Sequence, residues 1–193
     1  MLDILKLPYQ FDPALLKSDL AGLEESGWIR HYNTRDYEGN WTVYPLRSVG
    51  GESGHIYADP TAKADRFAAT PAVDHCPYFR HVIDSFECPK LSVRLLRLGV
   101  GSRIREHRDH CLSFEDGELR IHVPVVTSPE VEFYVKSERI VMREGESWYV
   151  NFNLPHNLYN GGAVDRIHLV IDCVVNDWIR SLFVSESCSA TLK

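Results

Sequence analysis

The chain lacks a long apolar run, a basic tract and any paired cysteines, and each absence narrows what it can be. Nowhere do apolar residues continue for the roughly 18 positions that a membrane-spanning helix needs, so no membrane partner is expected. The opening stretch from Met1 to Phe11 is broken by Asp3 and Lys6. It has neither the basic start nor the small-residue cleavage site of a secretory signal, which points to a cytoplasmic protein. No Lys/Arg-rich run is present, and the net charge of -6 with a pI near 5.8 argues against nucleic acid as a partner. The five cysteines (76, 88, 111, 173 and 188) are odd in number and scattered, with no Cys-x-x-Cys. That is the usage of reduced thiols, not of a disulfide framework or a cysteine-bound zinc.

What is there is an ordinary globular composition, 44% hydrophobic and 25% charged over 193 residues, enough for one domain with a real core. Leu2 to Phe11 reads as an edge strand. Asp12-Pro13 caps a helix running to about Ser26, with Leu15, Leu16, Leu20 and Leu23 at helical spacing and Gly27 ending it. Strands follow at Trp28–Tyr32 and Trp41–Arg47, separated by a polar turn. Val49 to Phe67, with Gly50-Gly51, Gly54 and Asp59-Pro60, reads as a long loop. Such a segment is either a disordered insertion or a lid near a site, and long ordered loops are often functional, so the 33–67 loops are a candidate lid or substrate pocket. A second helix spans Pro77 to Phe86.

From Leu91 the texture changes to short β-like runs every eight to twelve residues: 91–98, 119–126, 131–136, 139–142, 147–152, 157–159 and 167–174. Turn signals such as Asp116-Gly117 and Glu144-Gly145 lie between them. So many short strands predict a mainly β fold with flanking helices, a double-stranded β-helix or cupin-like jelly roll. The expected organisation is one domain over residues 1–193. In it, 1–90 packs on the barrel as helices and strands, 91–178 forms the jelly-roll core, and 184–193 is a loose tail.

The chemistry-bearing residues gather in that second half. His107 and Asp109 form a His-x-Asp whose side chains share one face at a strand end. By itself the triplet is weak, and a solvated polar turn is the commoner reading. His156, between Pro155 and Asn157, would by itself be a core or loop histidine bonded to backbone. Together, two imidazoles and a carboxylate satisfy a divalent iron at three positions and leave three open. Arg166 leads into the apolar strand Ile167-His-Leu-Val-Ile and needs an anionic partner if it is buried. That partner is either Asp165 or Asp172 in a structural ion pair, or the carboxylate of a ligand. Arg120 and His122 alternate with apolar residues and share a face, lining a pocket if that face is interior. Trp41, Tyr44, Phe133, Tyr134, Trp148 and Tyr149 read as core at strand spacing, a minority of them lining the pocket.

The words Gly99-Val-Gly-Ser-Arg-Ile-Arg-Glu-His107-Arg-Asp109, Leu119-Arg-Ile-His-Val-Pro124, Leu154-Pro-His156 and Asp165-Arg-Ile-His-Leu-Val-Ile-Asp172 occur in that order. In this the chain resembles the aspartyl/asparaginyl β-hydroxylase family of Fe(II)- and 2-oxoglutarate-dependent dioxygenases, including bacterial proline cis-4-hydroxylase-like members. The resemblance implies that His107, Asp109 and His156 hold Fe(II) and that Arg166 grips the distal carboxylate of 2-oxoglutarate. It implies that Arg120 and His122 contact cosubstrate or substrate. With O2 as co-reactant, the expected reaction is hydroxylation of an unactivated C–H in an amino acid, an amino-acid derivative or a peptidyl residue. The vertebrate members lack the carboxylate ligand, so Asp109 aligns this chain with the bacterial three-ligand members. A rival reading is a cupin-like sensor or binding domain that makes no product. The partner is a small molecule or a peptide, and oligomeric state is not legible.

Overall fold

The computed structural model describes residues 2–56 and 61–190. The Asp59-Pro60 turn and residues 191–193 lie outside the described residues. The strands are β1 (Ile4–Gln10), β2 (Ile29–Arg30), β3 (Tyr37–Glu38), β4 (Trp41–Val49), β5 (Phe67–Ala69), β6 (Lys90–Leu98), β7 (Arg103–His107), β8 (Glu118–Val126), β9 (Val131–Val135), β10 (Glu138–Arg139), β11 (Glu146–Val150), β12 (His156–Asn160) and β13 (Arg166–Val174). The helices are α1 (Pro13–Ala21), α2 (Pro77–Asp84) and α3 (Asp177–Ala190). None of them is long and apolar enough to cross a membrane, among the described residues.

Two antiparallel sheets face each other, as the jelly-roll reading expects. The major sheet runs β1-β11-β8-β13-β6-β4-β2 with β5 on β4, and the minor sheet runs β10-β9-β12-β7-β3. Side chains of a strand alternate between faces, so each central strand of the major sheet serves two environments. Val93 and Leu95 of β6, Leu119, Ile121 and Val123 of β8, and Leu169 and Ile171 of β13 share an outer core with Leu16, Phe79, Val82, Ile179 and Phe183 of the helices and with Phe86 just after α2. The opposite face of the same strands carries Leu96, Leu98 and Val170, which pack with Ile104, Phe133, Val135 and Leu158 of the minor sheet. That inner face also carries Arg94, Arg120, His122, Arg166 and Asp172, all lining one cavity between the sheets.

The first 90 residues do more than pack on the barrel. β1 pairs with β11, β4 with β6, and β3 with β7, so the amino-terminal strands extend both sheets. The attachment of β1 depends on Gly145 at φ +78°, where a Cβ would run into the carbonyl of Phe11. Helix α1 is capped as predicted, the Asp12 carboxylate accepting from Ala14 N–H at 2.8 Å. It stops at Ala21, not near Ser26, because Gly22 follows and a separate 3-10 turn at Glu25–Gly27 takes the rest. Buried Asp19 of α1 then accepts from the backbone N–H groups of Tyr78 and Phe79, both at 2.7 Å, and caps α2.

Three further differences have local causes. β7 reads weakly because Ile104 is its single buried apolar residue. The 139–142 run is largely irregular beyond Ile140, whose N–H donates to Phe133 O at 2.8 Å, and the burial of Ile140 and Met142 in the inner core accounts for its apolarity. The tail expected to be loose after Phe183 continues α3 through Ala190, with Ile179 and Phe183 anchoring that helix on the outer core.

Candidate metal and cosubstrate site

His107, Asp109 and His156 are brought together at the mouth of the inter-sheet cavity. β12 pairs with β7 so that His156 lies opposite His107, and their ring centroids are 4.2 Å apart. Asp109 follows two residues later, its backbone N–H donating to Phe152 O at 2.9 Å. One ligand atom from each of the three lies within 4.8 Å of the others. Each histidine keeps Nδ1 on its own chain, His107 at 2.8 Å from Arg105 O and His156 at 2.9 Å from Leu154 O. A carbonyl accepts, so each Nδ1 carries the proton and each Nε2 lone pair is left for a cation. Burial, with the charges around it, brings the His156 pKa down to about 4, so it is a neutral ligand near pH 7. Two imidazole nitrogens and one carboxylate fit a divalent iron with open positions.

Around the triad the arginines divide into two kinds. Asp172 accepts from Arg120 Nε at 2.7 Å and Nη2 at 3.2 Å, and from Arg94 Nη1 at 2.8 Å. Arg120 turns its remaining Nη1 to Asp109 Oδ2 at 2.8 Å. Burial opposes charge in this row, but the pairing outweighs it: Asp172 is held well below the usual carboxylate range and Arg120 is pushed up. Arg120 lines the cavity as expected, yet its fork is taken by two carboxylates, and what it does is aim Asp109.

Arg166 is the other kind. It is 5% exposed, and Asp172, one of its two expected structural partners, is occupied by Arg94 and Arg120. The other, Asp165, accepts from Val100 N–H at 3.3 Å. Arg166 Nη2 donates to His168 Nδ1 at 2.9 Å, and its Nε has no partner among the described residues. Burial alone brings its pKa down to about 9, with no anion opposing the shift. A buried guanidinium without a carboxylate is costly, and an anionic ligand entering the cavity is what would compensate it. His122 stacks on Phe152 at 5.0 Å with Nδ1 3.3 Å from His168 Nδ1, and its buried Nε2 is unpartnered among the described residues.

The cavity, about 540 Å³, also takes residues that the sequence did not single out. Arg94 is one, visible as a charge inside an apolar strand. His31 is another: it stacks on Trp41 at 3.6 Å and 8°, and on Tyr32 at 4.7 Å. Its Nδ1 accepts from Asn33 N–H at 3.3 Å, and burial, followed by Arg94 and Arg120, lowers its pKa to about 4. Of the strand aromatics, Trp41 and Phe133 line the cavity whereas Tyr44 and Tyr149 belong to the outer core.

The lowered histidines make a pH prediction. In the unfolded chain His31 and His156 take up protons near 6.5, but in the folded chain only near 4. The unfolded form therefore binds more protons below pH 6.5, and stability falls as pH drops from about 6.5 towards 4. Each should cost on the order of 1–2 kcal/mol by pH 5. Thermal melts of metal-free protein between pH 7 and 5 check this, and His31→Phe should flatten part of the slope. A melting temperature independent of pH in that window would contradict the neutral assignment.

Comparison with known proteins agrees with this geometry. The family profile for aspartyl/asparaginyl beta-hydroxylase matches residues 13–175. The chain is 28% identical over 167 residues to L-proline cis-4-hydroxylase of Rhizobium meliloti (strain 1021), covering 84% of this chain and 58% of that protein. It is 26% identical over 168 residues to L-proline cis-3-hydroxylase 2 of a Streptomyces species, covering 84% of this chain and 57% of that one. The chain thus spans a little under three fifths of the length of these relatives. A solved oxidoreductase of the 2OG-Fe(II) oxygenase family from Burkholderia pseudomallei shares the fold. Its TM-score is 0.53 at 14% identity, over 85% of this chain and 81% of that one. With motifs, fold and profile in agreement over most of its length, the chain belongs to the aspartyl/asparaginyl β-hydroxylase family.

Proposed function

We propose that the chain is an Fe(II)- and 2-oxoglutarate-dependent dioxygenase that hydroxylates an unactivated C–H of a free amino acid, proline-like in size. The observation that carries this is Arg166, a buried cation with no carboxylate among the described residues, lining the same cavity as the His107–Asp109–His156 group. A plain metal-binding module has no need of such an anchor. Its charge and planar fork suit the distal carboxylate of a keto acid. The relatives named as L-proline hydroxylases support the amino-acid substrate.

In this reading His107 and His156 present their Nε2 lone pairs and Asp109 its carboxylate to iron, while Arg120 holds Asp109 in place. Iron so bound supplies dioxygen activation coupled to oxidative decarboxylation of 2-oxoglutarate to succinate. Phe133, Phe152 and Leu158 give the cavity an apolar wall, and His31 and Trp41 line it from the amino-terminal segment.

The test is anaerobic titration of the apoprotein with Fe(II) and then 2-oxoglutarate, followed by a succinate assay with L-proline and the other proteinogenic amino acids. A weak visible charge-transfer band should appear in wild type and be lost in His156→Ala. Arg166→Leu should keep iron binding and weaken 2-oxoglutarate by about a hundredfold, the scale for losing a buried charge-paired anchor. Iron binding without any band would instead favour the cupin-like binding module.

A further inference from the structure

Behind Arg166 lies a row of three side chains whose protons are placed by geometry. Arg166 Nη2 is 2.9 Å from His168 Nδ1, and His122 Nδ1 is 3.3 Å from that same nitrogen. A guanidinium only donates, so His168 Nδ1 is a bare acceptor and that ring carries its proton on Nε2. Two lone pairs would repel at this separation, so the facing Nδ1 of His122 carries the proton of its own ring. Both imidazoles are buried, and burial first, then the charge of Arg166, pushes both far below the ordinary histidine range. They are neutral, and one lone pair receives two donors.

The neighbouring arginines show what this arrangement avoids. Arg94 and Arg120 are held by Asp172, which orients them and cancels charge in one contact. His168 stands two residues after Arg166 on the same face of β13 and does only half of that. A neutral acceptor orients the fork and leaves its charge uncompensated. Arg166 also lines a second cavity of about 20 Å³, together with Ser128, Met142 and His168. That is room for a single water and not for a carboxylate ligand. Among the described residues, it is the main cavity that gives an organic anion room at Arg166.

Resting on the reading of Arg166 as the 2-oxoglutarate anchor, we propose that His168 is a positioning residue. It holds Arg166 through a neutral Nδ1 acceptor and so keeps the cation aimed and unpaired for the distal carboxylate of the keto acid. His168 itself touches neither metal nor cosubstrate. The pair with His122 fixes which nitrogen of each ring is available.

Three variants separate this from a packing role. His168→Asn presents an amide oxygen near the place of Nδ1, His168→Leu removes the acceptor, and His168→Asp supplies a counter-charge. The readouts are the dissociation constant of 2-oxoglutarate on Fe(II)-loaded protein, taken anaerobically from the charge-transfer band, and the melting temperature. His168→Asn should match wild type, and His168→Leu should bind about tenfold more weakly, the scale of one lost hydrogen bond to a charged group. His168→Asp should melt no lower than wild type yet bind on the order of a hundredfold more weakly, because the incoming anion meets a like charge. Iron affinity should be the same in all three. Folded Leu and Asp variants that bind 2-oxoglutarate like wild type would overturn the proposal, since a packing role lowers only the melting temperature. If the variants do not fold, nitrogen-15 NMR of the wild-type histidines decides. Protons on His122 Nδ1 and His168 Nε2 support the proposal, and the reverse placement overturns it. Wild-type protein that binds iron but gives no band fails earlier, at the Arg166 reading, and the proposal goes with it.

Discussion

Asp109→Ala is expected to remove succinate formation altogether, a loss of more than about a thousandfold, while the protein still folds. The size follows from comparison. Partners that merely orient a metal ligand are worth about 10–100-fold each, so removing a ligand, and the anionic one, must cost more. The retained fold follows from where Asp109 sits. Its side chain is 30% exposed and outside both hydrophobic cores. Its loss leaves Arg120 still gripped by Asp172 through two nitrogens. Asp109→Glu should be nearly as inactive, because one more methylene moves the carboxylate off both Arg120 Nη1 and the space facing His107 Nε2. The measurement is Fe(II) affinity by competition with a chelator, alongside succinate release. Tight iron and near-normal turnover in Asp109→Ala would exclude the triad as the metal site.

The His107–Asp109 half of the triad was legible in sequence because its geometry is local, two residues apart. His156 joins it only through the pairing of β12 with β7, with four strands between them in the chain, and the order of the motifs, not their spacing, pointed to that. The strands of the core were legible for the same reason, since period-2 apolarity reports a face directly. What the sequence concealed was partner choice. Asp172 and Asp165 were equally plausible neighbours for Arg166, and only the register Asp172↔Arg120 assigns the first of them elsewhere. Nor could Arg120 be seen to serve Asp109 before β7 and β8 were placed on facing sheets. His31 was hidden because its environment comes from Trp41 across a loop and from Arg94 on another strand. The end of α1 and the whole of α3 were not legible, for a different reason. Helix termini depend on a single glycine or on docking to a core, and periodicity reports neither.

Asp172→Asn carries the largest expected effect on stability. One carboxylate holds two guanidiniums, and all three side chains are nearly excluded from water. Breaking a buried ion pair from one side costs about 3–5 kcal/mol, a large share of the 5–15 kcal/mol that holds a domain together. For a chain of this length that is a melting temperature lower by on the order of 10 °C. The loss does not stop at stability. Arg120, freed from Asp172, leans on Asp109 alone, so the metal ligand is held less firmly and Fe(II) affinity should fall as well. Arg94 has no second carboxylate partner among the described residues, so it is the cation left stranded. Asp172→Asn combined with Arg94→Met should therefore melt higher than Asp172→Asn alone, a coupling that a double-mutant cycle measures directly. Additive losses in that cycle would mean that Asp172 acts by packing and not by charge. Acid should reproduce the single substitution. The folded chain keeps Asp172 ionised well below the range where the unfolded chain takes up a proton, near about 3.9, so this contribution is complete at neutral pH and is lost as pH falls below about 4. In Asp172→Asn that acid-side loss should be smaller, which ties the stability and the charge to the same side chain.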